Sequence, residues 1–140
     1  MRVVLDTDVM LSGFMSPDGA SRQLLLGALD GHFSLLLSTT LMIEYEAVLC
    51  RSENLLRMGI QSSEVLEILD GLAGCCIPVS FDYRWRPTGA HGDDELVVET
   101  AINGNADVIA TFNLKDMQKA VSRFGIPAVR PGVLLRRMRG

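Results

Sequence analysis

Short apolar runs alternate with stretches of helical periodicity along this chain. The short runs are rich in valine, leucine and isoleucine and predict β-strands that are buried on both faces. They cover residues 2–5, 33–37, 76–79, 106–110 and 127–129. Pro78 in the third run predicts a strand at an edge of the sheet, because proline cannot donate a ladder hydrogen bond.

Apolar residues spaced three and four apart predict helices between these strands. The predicted helices cover residues 19–30, 40–51, 63–73, 94–103 and 114–124, and Pro131 opens a last short helix. In the second helix, Leu41, Tyr45, Val48 and Leu49 fall on one side, which we expect to be buried. The alternation of strands and helices predicts one α/β domain over residues 1–140, with a mostly parallel sheet of about five strands.

Two segments depart from this alternation. The helices at 40–51 and 63–73 follow one another without a strand between them, which predicts an arm standing off the sheet. Residues 80–92 have no clear periodicity and are predicted to form a surface loop.

The charge, the lengths of the apolar runs and the cysteine content limit which classes of protein this chain can belong to. The formal net charge of −4 argues against binding nucleic acid mainly through global positive charge. No apolar run approaches the ~18–20 residues needed to cross a membrane, and the N-terminus lacks the apolar region of a signal peptide, so we expect a cytoplasmic protein with no membrane partner. Cys50, Cys75 and Cys76 fit no disulfide framework and are expected to be reduced core residues.

Acidic residues lie where strands of the predicted sheet end. Asp6 directly follows the first strand and is followed by Thr7 and Asp8. Since ligands bind outside the carboxyl ends of parallel strands, Asp6 is a candidate functional residue. The structural alternative for Asp6 is an aspartate that caps a turn or a helix.

The later acids have structural alternatives of the same kind. Glu44 would suit the dipole of its helix, and Asp93 could cap the helix at 94–103. Asn113 and Asp116, after the fourth strand, could form a capping box. Taken together, acids without clustered Cys or His are the ligands that Mg²⁺ or Mn²⁺ prefers, and such ions activate water against phosphodiesters.

Four segments resemble the motifs of the PIN-domain family, in the order typical of that family. They are V-V-L-D-T-D-V at the start, I-E-Y-E-A-V-L, D-D-E-L-V-V-E-T-A and A-D-V-I-A-T-F-N-L-K-D-M. The resemblance is greatest to the VapC-like branch, the toxins of toxin–antitoxin systems. It implies a three-layer α/β/α fold and a metal-dependent endoribonuclease that acts on RNA, forms a homo-oligomer and pairs with a cognate antitoxin protein.

The resemblance also implies roles for individual residues. Asp6, Glu44 and Asp94 match the metal-binding catalytic acids, with Asp93 and Asp116 as further candidate ligands. Thr7 and Thr111 match neighbours of the site. The chain departs from the family pattern at two positions: Asp8 stands where asparagine is usual, and Asn113 stands where many members carry a fourth aspartate.

A candidate RNA-binding segment lies in the predicted loop. Arg84 and Arg86 flank Trp85, and aromatic residues interleaved with basic ones can stack on and clamp single-stranded RNA. In the structural alternative, the tryptophan covers an edge of the core and the arginines are solvated.

Two other functions stay open at this point. Asp6-Thr7-Asp8 after a strand also resembles the opening motif of haloacid-dehalogenase-like phosphatases, in which Asp6 would be the nucleophile. The loss of an acid at Asn113 is compatible with a catalytically inactive PIN module that binds RNA or a protein.

Overall fold

A computed structural model of the chain describes residues 1–80 and 92–139, with Gly92 and Asp93 described by their backbone alone. The described part contains a five-stranded parallel sheet in the order β3-β2-β1-β4-β5. The strands are β1 Arg2–Leu5, β2 Ser34–Leu37, β3 Ile77–Pro78, β4 Val108–Ala110 and β5 Ala128–Val129. All five lie in runs that the sequence predicted to be strands, and β3 lies at an edge as Pro78 indicated.

Eight α-helices accompany the strands in the described ranges. They are α1 Thr7–Met15, α2 Ala20–Leu29, α3 Thr39–Leu49, α4 Ser52–Met58, α5 Ser62–Cys75, α6 Gly92–Asn103, α7 Leu114–Val121 and α8 Pro131–Arg139. A 3₁₀ turn at Ser122–Phe124 extends α7. None of these helices is long and apolar enough to cross a membrane.

Helices cover both faces of the sheet. Helices α1, α2, α3 and α5 pack against one another, while α6 packs on β1 and β2 and against α7. The central strand β1 is buried between these layers, and its residues Val3, Val4 and Leu5 are completely inaccessible to solvent. The prediction of burial on both faces is wrong for the edge strand β3, in which Ile77 is partly buried and Pro78 is exposed. The molecule is therefore the three-layer α/β/α fold that the sequence predicted, and the sheet is parallel throughout.

The prediction of an arm standing off the sheet is wrong. Helix α5 packs against α2 and α3, and its residues Val65, Leu69 and Leu72 belong to the main core with exposed fractions of 0–2%. The apolar stripe of α5 covers part of the layer formed by α2 and α3, so α5 thickens that layer instead of projecting into solvent.

The sequence left two helices unassigned. Helix α1 follows β1 without a break, because Asp6 ends the strand and caps the helix through a hydrogen bond from the Thr7 N–H to its Oδ1 (2.7 Å). Helix α3 ends at Leu49, two residues before the predicted end, and α4 begins at Ser52, in a segment between the two predicted helices to which the sequence assigned no element.

The cysteines are free thiols, as expected, but the prediction that all three are core residues is wrong. Cys50 and Cys76 are partly buried against the core, whereas Cys75, the last residue of α5, is exposed.

Candidate active site

The site is set by the point at which the chain reverses its direction of winding across the sheet. From β1 the chain builds β2 and β3 on one side, and it then crosses to place β4 and β5 on the other. Strands β1 and β4 are in register, with Leu5 opposite Ala110, so their carboxyl ends meet. Such a switch point opens a crevice above the sheet. Asp6, which follows β1, lines it, and Thr111, which follows β4, is fully buried and in hydrogen-bond contact with Asp6.

Asp6 is held from both sides at this position. Its backbone N–H donates to the Ala110 carbonyl (2.9 Å), which extends the pairing of β1 with β4 by one residue. Its side-chain Oδ2 accepts a hydrogen bond from the Thr111 hydroxyl (2.7 Å), while Oδ1 accepts from the Thr7 N–H (2.7 Å). Asp6 is 5% exposed, and these donors stabilise its charged form.

Asp8 joins the first turn of α1 to the segment that follows β4. Its Oδ2 accepts a hydrogen bond from the Phe112 N–H (3.2 Å), and the Thr111 hydroxyl accepts one from the Asn113 N–H (3.0 Å). These contacts tie the chain after β4 to the start of α1. The residues predicted to neighbour the site, Thr7, Asp8, Thr111 and Asn113, are therefore adjacent in space.

Glu44 is placed by α3, whose start and middle are anchored. Ser38 caps the helix by accepting a hydrogen bond from the Leu41 N–H (3.2 Å). The fully buried Tyr45 donates its hydroxyl proton to the Leu5 carbonyl, at the end of β1. Glu44 lies in the second turn of α3, beyond the first turn in which the helix dipole acts, so the dipole explains little of its presence.

Asp94 is placed by α6 through a chain of hydroxyl groups. The Thr100 hydroxyl donates to the Leu96 carbonyl (2.7 Å), so the Ser38 hydroxyl must donate to Thr100 Oγ1 (2.7 Å). This contact links α6 to the end of β2. The helix begins at Gly92, two residues before the predicted start, so the backbone of Asp93 lies in its first turn and not at the N-cap position of the structural alternative.

The structure gathers most of the candidate residues around one cavity of about 280 Å³. The cavity is lined by Asp6, Thr7, Asp8, Leu11, Glu44, Val48, Arg51, Asp94 and Asn113. Six of these residues were candidates from the sequence, although they come from five separate elements and connections. The sequence missed Arg51, Val48 and Leu11, which carry no acidic signal.

Comparison with known proteins identifies the family. The family model described as PIN domain matches residues 2–115, which is most of the chain. The chain belongs to the PIN domain family. Comparison with curated proteins found no match.

PIN domains are generally nucleases, and the fold of this chain is of the nuclease type. The matched residues include Asp6, Glu44, Asp94 and Asn113, all of which line the cavity. Membership of this family removes the main support for the haloacid-dehalogenase-like alternative, which depended on Asp6-Thr7-Asp8 alone.

Two acidic candidates lie differently from the rest. Asp116, in the first turn of α7, is not one of the described residues that line the cavity. Its Oδ2 accepts a hydrogen bond from Nδ2 of Asn113, which does line it (3.2 Å). Asn113 is the N-cap residue of α7, but its side chain makes no capping hydrogen bond, so the structural alternative of a capping box is not formed. The side chain of Asp93 and residues Arg84, Trp85 and Arg86 lie outside the described part of the chain.

Two groups in the site have perturbed pKa values. Burial raises the pKa of Asp8; hydrogen bonds from the Phe112 and Val9 N–H groups oppose that rise, and the nearby charge of Asp94 adds to it. Burial, with a smaller contribution from the charge of Asp6, raises the pKa of Tyr45 well above its ordinary value. Tyr45 is therefore a neutral hydrogen-bond donor at any physiological pH.

The donors around the cavity fit a hard divalent cation. PIN domains generally use divalent metal ions, and the described lining offers carboxylate, amide and hydroxyl oxygens, with no Cys or His. No three described Asp, Glu, His or Cys side chains are close enough to hold an ion as they stand. Asp6 and Asp8 accept hydrogen bonds from the protein, and each of their carboxylate oxygens keeps at least one lone pair with which it could bind an ion.

Proposed function

We propose that this PIN domain is a metal-dependent endoribonuclease that hydrolyses RNA phosphodiester bonds. One observation carries the proposal: Asp6, Asp8, Glu44 and Asp94, which are distant in sequence, line a single cavity above the carboxyl ends of the central strands. Four carboxylates in one cavity repel one another, which is costly for a protein unless a cation balances their charge.

In this proposal Asp6, Glu44 and Asp94 hold Mg²⁺ or Mn²⁺, and Asp93 and Asp116 are further candidate ligands. The ion, when bound, supplies a water of lowered pKa and offsets the charge that develops on the phosphate. The carboxylates have the flexible oxygen chemistry that both ions accept.

The surrounding residues orient the acids. Thr111 and the Thr7 N–H fix both oxygens of Asp6, so its carboxylate cannot rotate freely. Tyr45 donates a hydrogen bond to the carbonyl of Leu5, the residue before Asp6, and so fixes the backbone beside Asp6. Because Tyr45 is neutral, it adds no negative charge to the site. The hydrogen bond between the Ser38 and Thr100 hydroxyls keeps α6, and with it Asp94, in place beside β2.

The biological setting is also part of the proposal. By its resemblance to VapC-like proteins, the chain would be the toxin of a toxin–antitoxin pair, acting in the cytoplasm as a homo-oligomer and held in check by a cognate antitoxin protein. Arg84, Trp85 and Arg86 are candidates for stacking on and clamping the RNA.

The test is cleavage of a mixed RNA pool with and without Mg²⁺ or Mn²⁺. We expect metal-dependent cutting by the wild-type protein and a loss of at least about a hundredfold in Asp6→Asn and in Asp94→Asn, because each removes a charge from the metal site. Asp70→Asn, an exposed position on α5, is the matched control and should cut normally. Equal cutting by all four proteins would rule out these residues as the active site.

A second candidate function is an inactive PIN module that binds RNA or protein. Asn113 favours it, since this cavity residue is an amide where many family members carry an acid. Retention of RNA binding without cleavage in either metal would support the module, and restoration of cleavage by Asn113→Asp would identify the lost charge as its cause.

A further inference from the structure

An arginine lies among the acids of the cavity. Arg51 occupies the junction between α3 and α4, seven residues after Glu44, and it lines the same cavity as Glu44 and Asp94. Four carboxylates and one guanidinium give the described lining a formal charge of −3 when all are ionised. Arg51 is thus the single cationic side chain in the described lining, in a place where charge would otherwise repel a phosphate.

The backbone that carries Arg51 is held firmly. The buried Asn54 side chain donates to the Val48 carbonyl (2.7 Å), and the N–H groups of Asn54 and Leu55 donate to the Arg51 carbonyl (3.0 Å each). The Arg51 N–H in turn donates to the Val48 carbonyl (3.3 Å). These bonds join the end of α3 to the start of α4, so the base of the arginine side chain is fixed in relation to Glu44.

The guanidinium, by contrast, is available for a ligand. Arg51 is exposed, and no hydrogen bond or ion pair joins its side chain to another residue in the described ranges. A cation serving only to neutralise a neighbouring carboxylate would be expected to contact it. An exposed guanidinium at the mouth of an anionic cavity is instead suited to an anion that arrives from solvent, and its planar donors match the oxygens of a phosphate.

We propose that Arg51 binds a backbone phosphate of the RNA strand entering the cavity, and so determines how the substrate is seated against the acids. This assignment rests on the proposed ribonuclease function. Arg51 is a substrate-binding residue here and takes no part in bond cleavage. Its contribution should appear in the affinity for RNA and in the dependence of that affinity on salt.

The experiment measures binding of a fluorescein-labelled single-stranded RNA by anisotropy over a range of salt concentrations. An Asp6→Asn background keeps the probe intact. Arg51→Gln should weaken binding about tenfold and reduce the slope of log K against log salt by about 0.7, the value for one lost phosphate contact on a single strand. Arg51→Lys should keep the slope and lose part of the affinity.

Arg57→Gln is the matched control. Arg57 is exposed in the last turn of α4 and does not line the cavity, so it has the same charge as Arg51 at a position away from the acids. Equal effects of the two glutamine substitutions, or no effect of either, would overturn the proposal. So would a failure of the parent protein to bind the RNA at all.

Steady-state kinetics separate this proposal from the proposed function. In otherwise wild-type protein, Arg51→Gln should raise KM about tenfold and leave kcat within about twofold. If the wild-type protein cuts no RNA but Arg51→Gln still weakens binding and lowers the slope, the nuclease function fails and the role of Arg51 stands. If the protein cuts RNA and KM is unchanged, Arg51 has no such role.

Discussion

Asp8 is the residue at which this chain adds a charge to the usual PIN sequence. Its carboxylate is partly buried beside Asp94, and one of its oxygens accepts the Phe112 N–H. An asparagine would keep an oxygen for that hydrogen bond and would remove the charge. The aspartate therefore lowers the stability of the metal-free protein, whereas asparagine, the usual residue, would not.

The first prediction is that Asp8→Asn stabilises the metal-free protein in a pH-dependent way. Burial, followed by the charge of Asp94, raises the folded-state pKa of Asp8 above its ordinary value of 3.8. The wild-type protein therefore loses stability as pH rises from that value through the folded pKa. In EDTA at neutral pH, we expect the Asp8→Asn variant to melt about 1–3 °C higher, a small gain because solvent screens a partly exposed charge.

The pH dependence of this effect provides its control. Below the unfolded pKa the carboxyl is protonated in both states, so the difference in melting temperature should vanish near pH 3. Asp18→Asn, at an exposed position between α1 and α2, should change nothing at either pH. A gain that persists undiminished in acid would mean that packing, and not charge, distinguishes the Asp8→Asn variant from the wild-type protein.

At the scale of elements, the contact between α1 and α2 depends on a small residue. A Cβ placed on Gly13 would lie 2.6 Å from Leu25 Cδ1 and 3.3 Å from the Ser21 carbonyl oxygen. Arg22 reinforces the contact by donating hydrogen bonds to the carbonyls of Gly13 and Phe14, at the end of α1. The close approach keeps α1, and with it Asp8, against the rest of the molecule.

Gly13→Ala should therefore destabilise the fold by about 1–3 kcal/mol, the usual cost of overpacking a core. Gly74→Ala on α5 is the matched control: its Cβ would meet nothing within 4 Å, and alanine is favoured over glycine in a helix by up to about 1 kcal/mol. Urea denaturation of the two variants measures both. A neutral or stabilising Gly13→Ala would show that Leu25 moves aside at no cost.

Helix α1 also shows why part of the fold escaped prediction. Its buried residues Val9, Met10, Gly13 and Phe14 have helical spacing, but they lie in only nine residues that directly follow a strand. Asp6 ends β1 and caps α1 at once, so no connecting loop separates the two. The structural alternative for Asp6 is confirmed, since Asp6 caps α1, and the same residue lines the cavity, so capping is compatible with the proposed function.

The position of α5 could not be predicted for a different reason. The periodicity of residues 63–73 indicated one apolar face, and α5 has one, but periodicity does not say which partner covers that face. Packing on α2 and α3 follows from the three-dimensional path of the chain, as does the start of α4 immediately after α3. The strands were easier to predict, because all of them lie in runs that are apolar over most of their length.

At the scale of the whole molecule, the strand order brings the candidate residues together. Parallel strands place their carboxyl ends at one edge, so Asp6 and Asn113 could be expected to meet from the sequence alone. Arg51 could not be expected there, because nothing in the sequence distinguishes it from an arginine that is simply solvated. The link between Ser38 and Thr100 also needed the register of α6 against β2, which no local pattern contains.

The same convergence predicts that a divalent metal stabilises the entire fold. An ion that binds only the folded state adds RT ln(1 + [L]/Kd), or about 2.7 kcal/mol at a hundredfold excess over Kd, which for a chain of this size is a melting shift of roughly 5–10 °C. MnCl₂ should produce this shift, and NaCl of equal ionic strength should not. The double variant Asp6→Asn with Asp94→Asn should lose most of the shift from its own baseline, whereas Asp70→Asn should keep it. An equal shift in the double variant would mean that the metal binds elsewhere on the molecule. The cavity would then not be the metal site, even if RNA cleavage were observed.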